Sequence, residues 1–378
     1  MSNVISKQPL PYSHKQILRI GIDGRSLQGN RRGDGRYIFE LCQQLDERLP
    51  NARFFVYSSI PVDMPVFSNR WILRADRSIL SRLPRLLWLK LRGSYLCRKD
   101  HLDIFWGTNI FLPYLPGTVR KAVTVYDLSL RVAPETIVTT HLWLGRFFFL
   151  RDVRKADIVL TVSEGTSWRL SDLVGYQPTA ISPAVGKSFR HQTKGKIEAC
   201  LAIYGISYPY ILNVAVWEPR KNLELLVKTF IIMKREGLLS GHKLVLVGKK
   251  GWRCERIATM VASDSGKNVV SLGYVPDDHL PPLYAGADVF VFPSTYEGFG
   301  MPVLEARACG ARVVASDIPE LREAGGEDAV YVKPTEEGIR NGLLTALKQA
   351  PRNPGQLALP TWQQSGMILA NALCGKEE

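Results

Sequence analysis

Ala287-Asp288-Val289-Phe290-Val291-Phe292-Pro293-Ser294-Thr295-Tyr296-Glu297-Gly298-Phe299-Gly300-Met301-Pro302-Val303-Leu304-Glu305 is the stretch on which the fold turns. Its first part is short, apolar and rich in valine and phenylalanine, the composition of a strand buried on both faces of a parallel sheet. Its second part is punctuated by glycines and then starts a helix. Pro302 suits the first helical position, and Leu304, Ala308 and Ala311 follow at helical spacing. Strand, glycine turn and helix together aim backbone N–H groups and the positive end of a helix dipole at one crevice. Glu297 is expected at the strand end and Glu305 in the first helical turn, eight positions further on. Such a cradle suits a sugar-like, phosphate-bearing ligand held between donors and carboxylates. Taken singly, either glutamate could equally cap a helix, and either glycine could simply make a turn.

Around this stretch the same pattern repeats. Tyr210–Trp217, Lys243–Gly248, Val269–Gly273, Asp288–Pro293, Ala311–Ser316 and Ala329–Val332 read as strands. Glu218-Pro219-Arg220-Lys221-Asn222 reads as a turn with a helix from Leu223, and Lys249-Lys250-Gly251-Trp252 as a loop. These elements make a second α/β domain over residues 192–360. Gln192–Ser207, polar at its start, is expected as the linker region. Trp362–Leu373 is expected as a terminal helix, within about 361–378, that packs back on the first domain.

Residues 1–191 form that first domain. Gln16–Gly24 reads as its opening strand, and a glycine- and arginine-rich segment, Arg25–Gly35, leads to a helix from about Arg36. Gly33-Asp34-Gly35, beside Arg36, is a phosphate-loop type of signal, although it lacks the third glycine of a dinucleotide fingerprint. Phe54–Tyr57, Asp103–Trp106, Ala122–Asp127 and Asp157–Val162 read as further strands, and Ser163-Glu164-Gly165-Thr166 as a helix cap. His141–Lys155, with Trp143, Phe147, Phe148 and Phe149, reads as a core helix. Alternating strands and helices on this scale give an α/β class with doubly wound parallel sheets.

Composition excludes several classes. Apolar residues at 46% and charged residues at 22% are ordinary for a globular chain. No run approaches the ~20 apolar residues of a membrane span. Residues 1–15 lack the apolar core of a signal peptide, so a cytoplasmic address is expected. The six cysteines are scattered without a C-x-x-C pair, which disfavours disulfide and metal readings alike. The net charge of +14 is uneven: 28 basic against 15 acidic residues in 1–190 give +13, and 21 against 20 in 191–378 give +1. The first half is therefore expected to meet an anionic surface. Trp71–Lys99 carries much of that charge. Its arginines and lysines alternate with Leu80, Leu83, Leu86, Leu87, Trp88, Leu89 and Leu91, a helix that could lie in a membrane interface or pack on the sheet.

The second half resembles the retaining glycosyltransferases of the GT-B fold, family 4. The resemblance is carried by Glu218–Leu223, Leu246–Trp252, Leu272–Asp277, Ala285–Asp288 and, above all, Glu297–Ala306, in the family's order and spacing. Ile22–Arg25, Gly35–Tyr37, Val125–Ser129 and Thr161–Glu164 extend it more loosely into the first half. The kinship lies with mannosyl- and rhamnosyltransferases of bacterial O-antigen and exopolysaccharide assembly. It implies two Rossmann-like doubly wound domains facing a central cleft. It also implies a hexose, mannose or rhamnose, moved from a nucleotide-diphosphate sugar, GDP-linked by preference, to a lipid-linked saccharide at the inner face of the cell membrane. By this resemblance Lys221 contacts the donor diphosphate, Glu297 the donor sugar and Glu305 the ribose. Amides of Gly298, Phe299, Gly300, Met301, Pro302 and Val303 line sugar and phosphate, proline contributing position alone. Gly273, Tyr274 and Val275 border the base, and Arg220 and Lys249 join the donor site. Asp127 stands on the acceptor side or caps a helix.

No D-x-D occurs in the chain, so no metal and no cofactor beyond the nucleotide sugar is expected. Two departures from the family stand out. Ala215-Val216 occupies the place of a common Gly-Arg, removing one cation from the diphosphate unless Arg220, Arg25 or Arg36 substitutes. Tyr126-Asp127 occupies the place of a common His-Asp, and tyrosine is a poor proton acceptor near neutral pH. The competing readings are a UDP-sugar-dependent transferase, a sugar-nucleotide epimerase, a dehydrogenase, and a nucleic-acid-binding protein. The dehydrogenase lacks its glycine fingerprint, and no recognition helix or aromatic RNA platform stands out.

Overall fold

The computed structural model describes residues 17–28, 33–62, 64–129, 148–264, 266–350 and 358–375. Two all-parallel sheets organise it. The first contains β1 (Leu18–Asp23), β2 (Ala52–Ser58), β3 (Trp71–Ala75), β4 (Ile104–Gly107), β5 (Arg120–Val125), β6 (Ile158–Thr161) and β7 (Thr179–Ala180) in the order β3-β2-β1-β4-β5-β6-β7. The second contains β8 (Tyr210–Val214), β9 (Lys243–Val247), β10 (Val269–Gly273), β11 (Val289–Phe292), β12 (Val313–Ser316) and β13 (Val330–Val332) in the order β10-β9-β8-β11-β12-β13. Both orders reverse direction once, between β1 and β4 and between β8 and β11. In doubly wound sheets the crevice beyond the carboxyl ends of the strands at such a reversal is where ligands bind. Val289, Phe290, Val291 and Phe292 are fully buried, as a strand covered on both faces requires.

Helices cover the sheets. In the first domain these include α1 (Asp34–Arg48), α2 (Arg85–Trp88), α3 (Ser94–Lys99) and α4 (Glu164–Val174). The crossing to the second sheet carries α5 (Lys194–Tyr204). Then come α6 (Leu223–Arg235), α7 (Glu255–Asp264), α8 (Leu280–Gly286), α9 (Met301–Ala308), α10 (Pro319–Gly325), α11 (Glu336–Lys348) and α12 (Trp362–Cys374). Helix α1 buries Tyr37, Ile38, Leu41, Cys42 and Leu45, a stripe at three- and four-residue spacing. Helix α12 begins with a capping box between Thr361 and Gln364 and lies on α1, where Arg48 Nη2 donates to the Gln363 carbonyl at 2.8 Å.

Several local expectations need correction. Trp71–Lys99 is not one helix: it opens as the edge strand β3, where Trp71 stacks on Phe54 at 4.2 Å, and continues through α2, a π-helical turn (Leu89–Gly93) and α3. Gln192–Ser207 is mostly α5, with Ile197, Cys200 and Leu201 buried. Helix α9 starts at Met301, puts Pro302 second, holds Glu305 in its second turn and stops at Ala308, short of Ala311. The strand expected over Tyr210–Trp217 ends at Val214, and α1 starts at Asp34. Residues 148–155 are helical, with Phe149 buried, whereas Trp143 and Phe147 lie outside the described residues. All six cysteines are free thiols.

The domains touch through the opening stretch itself. Ser163 Oγ and Thr166 Oγ1 donate to the Gly298 carbonyl at 2.6 and 3.1 Å, and the Leu128 amide donates to Tyr296 Oη at 2.6 Å. Further along, Arg169 pairs with Glu320 at 2.7 Å, and Glu323 accepts from the Glu164 amide and Ser182 Oγ at 2.8 and 2.5 Å. Gly298 cannot carry a side chain here, because a Cβ would lie 2.2 Å from the Tyr126 carbonyl oxygen of the facing domain.

Candidate active site

Between the domains lies a cavity of about 600 Å³ at the carboxyl ends of β8 and β11. Its chemistry starts at the end of β8. A 3₁₀ turn, Pro219–Lys221, is closed by Asn222 at φ 56°, a left-handed conformation that asparagine tolerates better than most residues. This turn folds Arg220 and Lys221 back beneath the β11 loop, and the Thr295 amide donates to the Arg220 carbonyl at 2.8 Å to hold the two loops together. Lys221 Nζ meets Glu297 Oε1 at 2.6 Å, and Arg220 Nη1 meets Glu297 Oε2 at 3.2 Å while its Nε reaches Glu218 at 3.1 Å. Burial pushes the Glu297 carboxyl up, but Lys221 and Arg220 outweigh it and hold it below the usual glutamate range. Burial pulls the Lys221 ammonium below the usual lysine range, and Glu297 offsets only part of that. The site is therefore a buried carboxylate already charged and already clasped by two cations.

Glu305 stands in a different environment. Its Oε2 accepts from Tyr284 Oη at 3.0 Å. Burial raises its carboxyl to about 7, with the Tyr284 hydrogen bond and the Arg36 charge pulling down and Asp277 pushing up. Two carboxylates on one loop-and-helix thus differ in charge near neutrality, which allows them distinct tasks.

The first domain supplies the facing wall. Gly33, Asp34, Arg36, Tyr37, Tyr126 and Asp127 line it, joined by Phe189 and Trp362. Tyr37 packs edge-on against Tyr126 at 5.9 Å and tilted against Trp362 at 6.0 Å, a continuous aromatic surface. Burial pushes the Tyr126 hydroxyl far above the usual tyrosine range, so it stays protonated and can donate a hydrogen bond. Asp127 accepts from the Ser129 amide at 2.9 Å and from Ser129 Oγ at 2.5 Å, a local capping geometry, and also faces the cavity.

Of the residues expected at the site, Glu297, Lys221, Arg220, Asp127, Lys249, Tyr274, Val275, Glu305, Gly33 and Arg36 line the cavity, as do Gly298, Phe299, Gly300, Met301 and Pro302. Three do not. Val303 is packed in the core, and Gly35 is buried in the first turn of α1. Gly273 stands behind the wall, its carbonyl accepting from the Gly248 amide at 2.7 Å. Lys249 lies at the rim, its Nζ 5.3 Å from the centre of the Tyr274 ring. Pro183, Phe189, Leu280 and Trp362 were not among the expected site residues. Phe189 and Pro183 come from the chain crossing between the sheets, and the one available signal was the return of the terminal helix, which carries Trp362.

Two doubly wound parallel sheets facing each other across a cleft, with the charged loops of the second at its switch point, make up the GT-B fold. Residues 208–349 match the model of the glycosyl transferases group 1 family. The chain is similar to O-antigen chain mannosyltransferase B of Escherichia coli, at 29% identity over 335 residues covering 84% of this chain and 87% of that one. It is also similar to the serotype-specific mannosyltransferase WbdA of Escherichia coli, at 32% identity over 207 residues; the match takes in 52% of this chain and 25% of that longer protein. Among solved structures, WaaG, a glycosyltransferase involved in lipopolysaccharide biosynthesis, superposes with a TM-score of 0.67 at 16% identity over 95% of this chain and 98% of that one, a likeness of fold.

Proposed function

We propose that this glycosyltransferase moves a mannose or 6-deoxymannose unit, with retention, from a GDP-linked donor to a lipid-linked saccharide of O-antigen or related polysaccharide assembly. The observation that carries the reading is the placement of Lys221, Glu297 and Glu305 around one cavity between the domains. Glu297 receives the hydroxyls of the donor sugar, Lys221 and the α9 amino end take the diphosphate, and Glu305 takes the ribose hydroxyls. As the bond from the anomeric carbon to the phosphate oxygen breaks, the electron pair leaves with the diphosphate. The acceptor oxygen attacks on the same face, and its proton passes to a phosphate oxygen. Cations and amides aimed at the developing charge supply the main acceleration. Among the described residues no group of three or more His, Cys, Asp or Glu is arranged to hold a metal.

The acceptor side is read from the basic first domain. Among the described residues no helix is long and apolar enough to cross a membrane. Between β3 and α3, however, Ile79, Leu80, Leu87, Leu91 and Tyr95 are exposed beside Arg82, Arg85, Arg98 and Lys99, while Trp88 and Leu89 are buried. The apolar side of this segment is thus divided between core and solvent, and its outer part fits the anionic cytoplasmic face of a membrane.

The test is a transfer assay on anionic vesicles carrying a lipid-linked saccharide, with GDP-mannose, UDP-glucose and dTDP-rhamnose as donors, in EDTA. The expected result is α-linked product from GDP-mannose, undiminished by the chelator. Activity restored only by Mn²⁺ would remove the metal-free mechanism, preference for UDP-glucose the donor, and protein left off the vesicles the membrane contact.

The raised Glu305 carboxyl gives a second expected result. Ribose hydroxyls bind the charged form, so nucleotide binding lowers the pKa and expels a proton when the pH lies below about 7. Affinity for GDP should therefore tighten as pH climbs from 6 to 8. Calorimetry in buffers of different ionisation enthalpy reads the proton release, and Glu305→Gln should remove the part due to this carboxyl. Equal proton release in the variant would withdraw Glu305 from the ribose.

A further inference from the structure

Val216, at the mouth of the cleft and 43% exposed, offers nothing to a phosphate, and Lys221 is already clasped by Glu297 at 2.6 Å. A diphosphate entering the cavity needs another cation. Three arginines are near enough to consider. Arg220 is shared between Glu218 and Glu297 at 3.1 and 3.2 Å. Arg25 grips Asp23 through Nε and Nη2 at 2.8 and 2.6 Å, is 8% exposed, and does not line the cavity. Arg36 differs from both. It rises from the first turn of α1, lines the cavity, and lies over the Phe189 ring at 5.8 Å. Among the described residues its guanidinium has no carboxylate within salt-bridge distance and donates no hydrogen bond. Its charge nevertheless reaches Glu305, across the cleft on the second domain.

The space beside this side chain is left open by a glycine. Gly186, in the crossing between the sheets, has no side chain, and a Cβ built there would lie 1.7 Å from Arg36 Nη2. The guanidinium occupies that space, and its planar fork suits a bidentate grip on phosphate oxygens.

We infer that Arg36 grips the donor diphosphate from the first domain, in place of the cation absent at Val216, and that Gly186 keeps its guanidinium aimed into the cleft. This rests on the donor reading above. Because Lys221 and Arg36 stand on opposite domains, the diphosphate becomes the bridge that draws them together, whereas the nucleoside alone is left to the second domain.

The experiment compares GDP with guanosine on the full chain by ligand-detected NMR titration, for wild type, Arg36→Met, Arg36→Lys and Gly186→Ala, each checked by thermal unfolding. Arg36→Met is expected to weaken GDP by roughly tenfold to a hundredfold, the scale of a charge-assisted hydrogen bond pair, with guanosine unchanged within about twofold. Arg36→Lys should recover part of the loss. Gly186→Ala should resemble Arg36→Met although it keeps the arginine. Wild-type GDP affinity in Arg36→Met would overturn the inference, and so would an equal loss for guanosine, which would place Arg36 against ribose or base. Wild-type affinity in Gly186→Ala would remove the role of the glycine. A wild-type protein that binds neither GDP nor UDP would instead sink the donor reading itself.

Discussion

Replacing Lys221 by methionine should cut donor turnover by roughly 10²–10³, the usual cost of losing one contact that stabilises developing charge. It should also loosen the fold, for a separate reason. Lys221 and Glu297 are both buried, and breaking a buried pair by removing one partner costs about 3–5 kcal/mol. Arg220 stays 3.2 Å from the orphaned carboxylate, so the lower end of that range is expected. A double substitution, Lys221→Met with Glu297→Gln, separates the two effects. Stability should return most of the way, because neutralising both members of a buried pair is often close to harmless. Turnover should stay low, because neither the diphosphate nor the sugar regains its contact. Urea unfolding and the rate of nucleoside diphosphate release measure the two quantities independently. Recovery of turnover along with stability would mean that the pair serves the fold and not the reaction.

Gly298→Ala should be nearly as damaging while leaving every charge in place. A Cβ at this position meets the Tyr126 carbonyl at 2.2 Å, and both atoms belong to backbone that cannot swing aside as a side chain can. The strain is relieved by parting the domains at this edge, which lengthens the bonds from Ser163 and Thr166 to the Gly298 carbonyl. Nucleotide affinity, seated mainly on the second domain, should fall less than about tenfold. Turnover should fall by about 10² or more, the penalty of misplacing reacting groups by an ångström. Small-angle scattering should show a larger radius of gyration for the variant with GDP bound. Unchanged turnover would show that the two domains need not meet here during the reaction.

The second sheet was legible because its central strands, β8, β9, β11 and β12, are apolar runs buried almost throughout. Strand β3 was not, because it is an edge strand: Trp71 is buried whereas Leu73 and Arg74 face solvent, and the mixture imitates a basic amphipathic helix. Helix α5 was hidden behind the polar residues that precede Ile197, the first it buries. Glu297 and Glu305 could be picked out from the local strand–turn–helix pattern, whereas Lys221 came through the family resemblance. The need for glycine at 298 could not be picked out in this way, since it answers to the Tyr126 carbonyl, more than a hundred residues away. Phe189 and Trp362 reach the cavity by the same kind of long-range route.

Helix α12 carries one further consequence. It belongs by packing to the first domain, through Arg48 to Gln363, Ser365 to Ser182 and Arg120 to Leu373, yet it follows the whole of the second in sequence. The chain therefore passes between the sheets twice. Any opening of the cleft must therefore be accommodated at both crossings, with Tyr37 and Trp362 on one lip and Glu297 and Glu305 on the other. Neither half is a segment that can be cut out whole: a chain ending at residue 350 would lose α12 and uncover the face of α1 on which it lies.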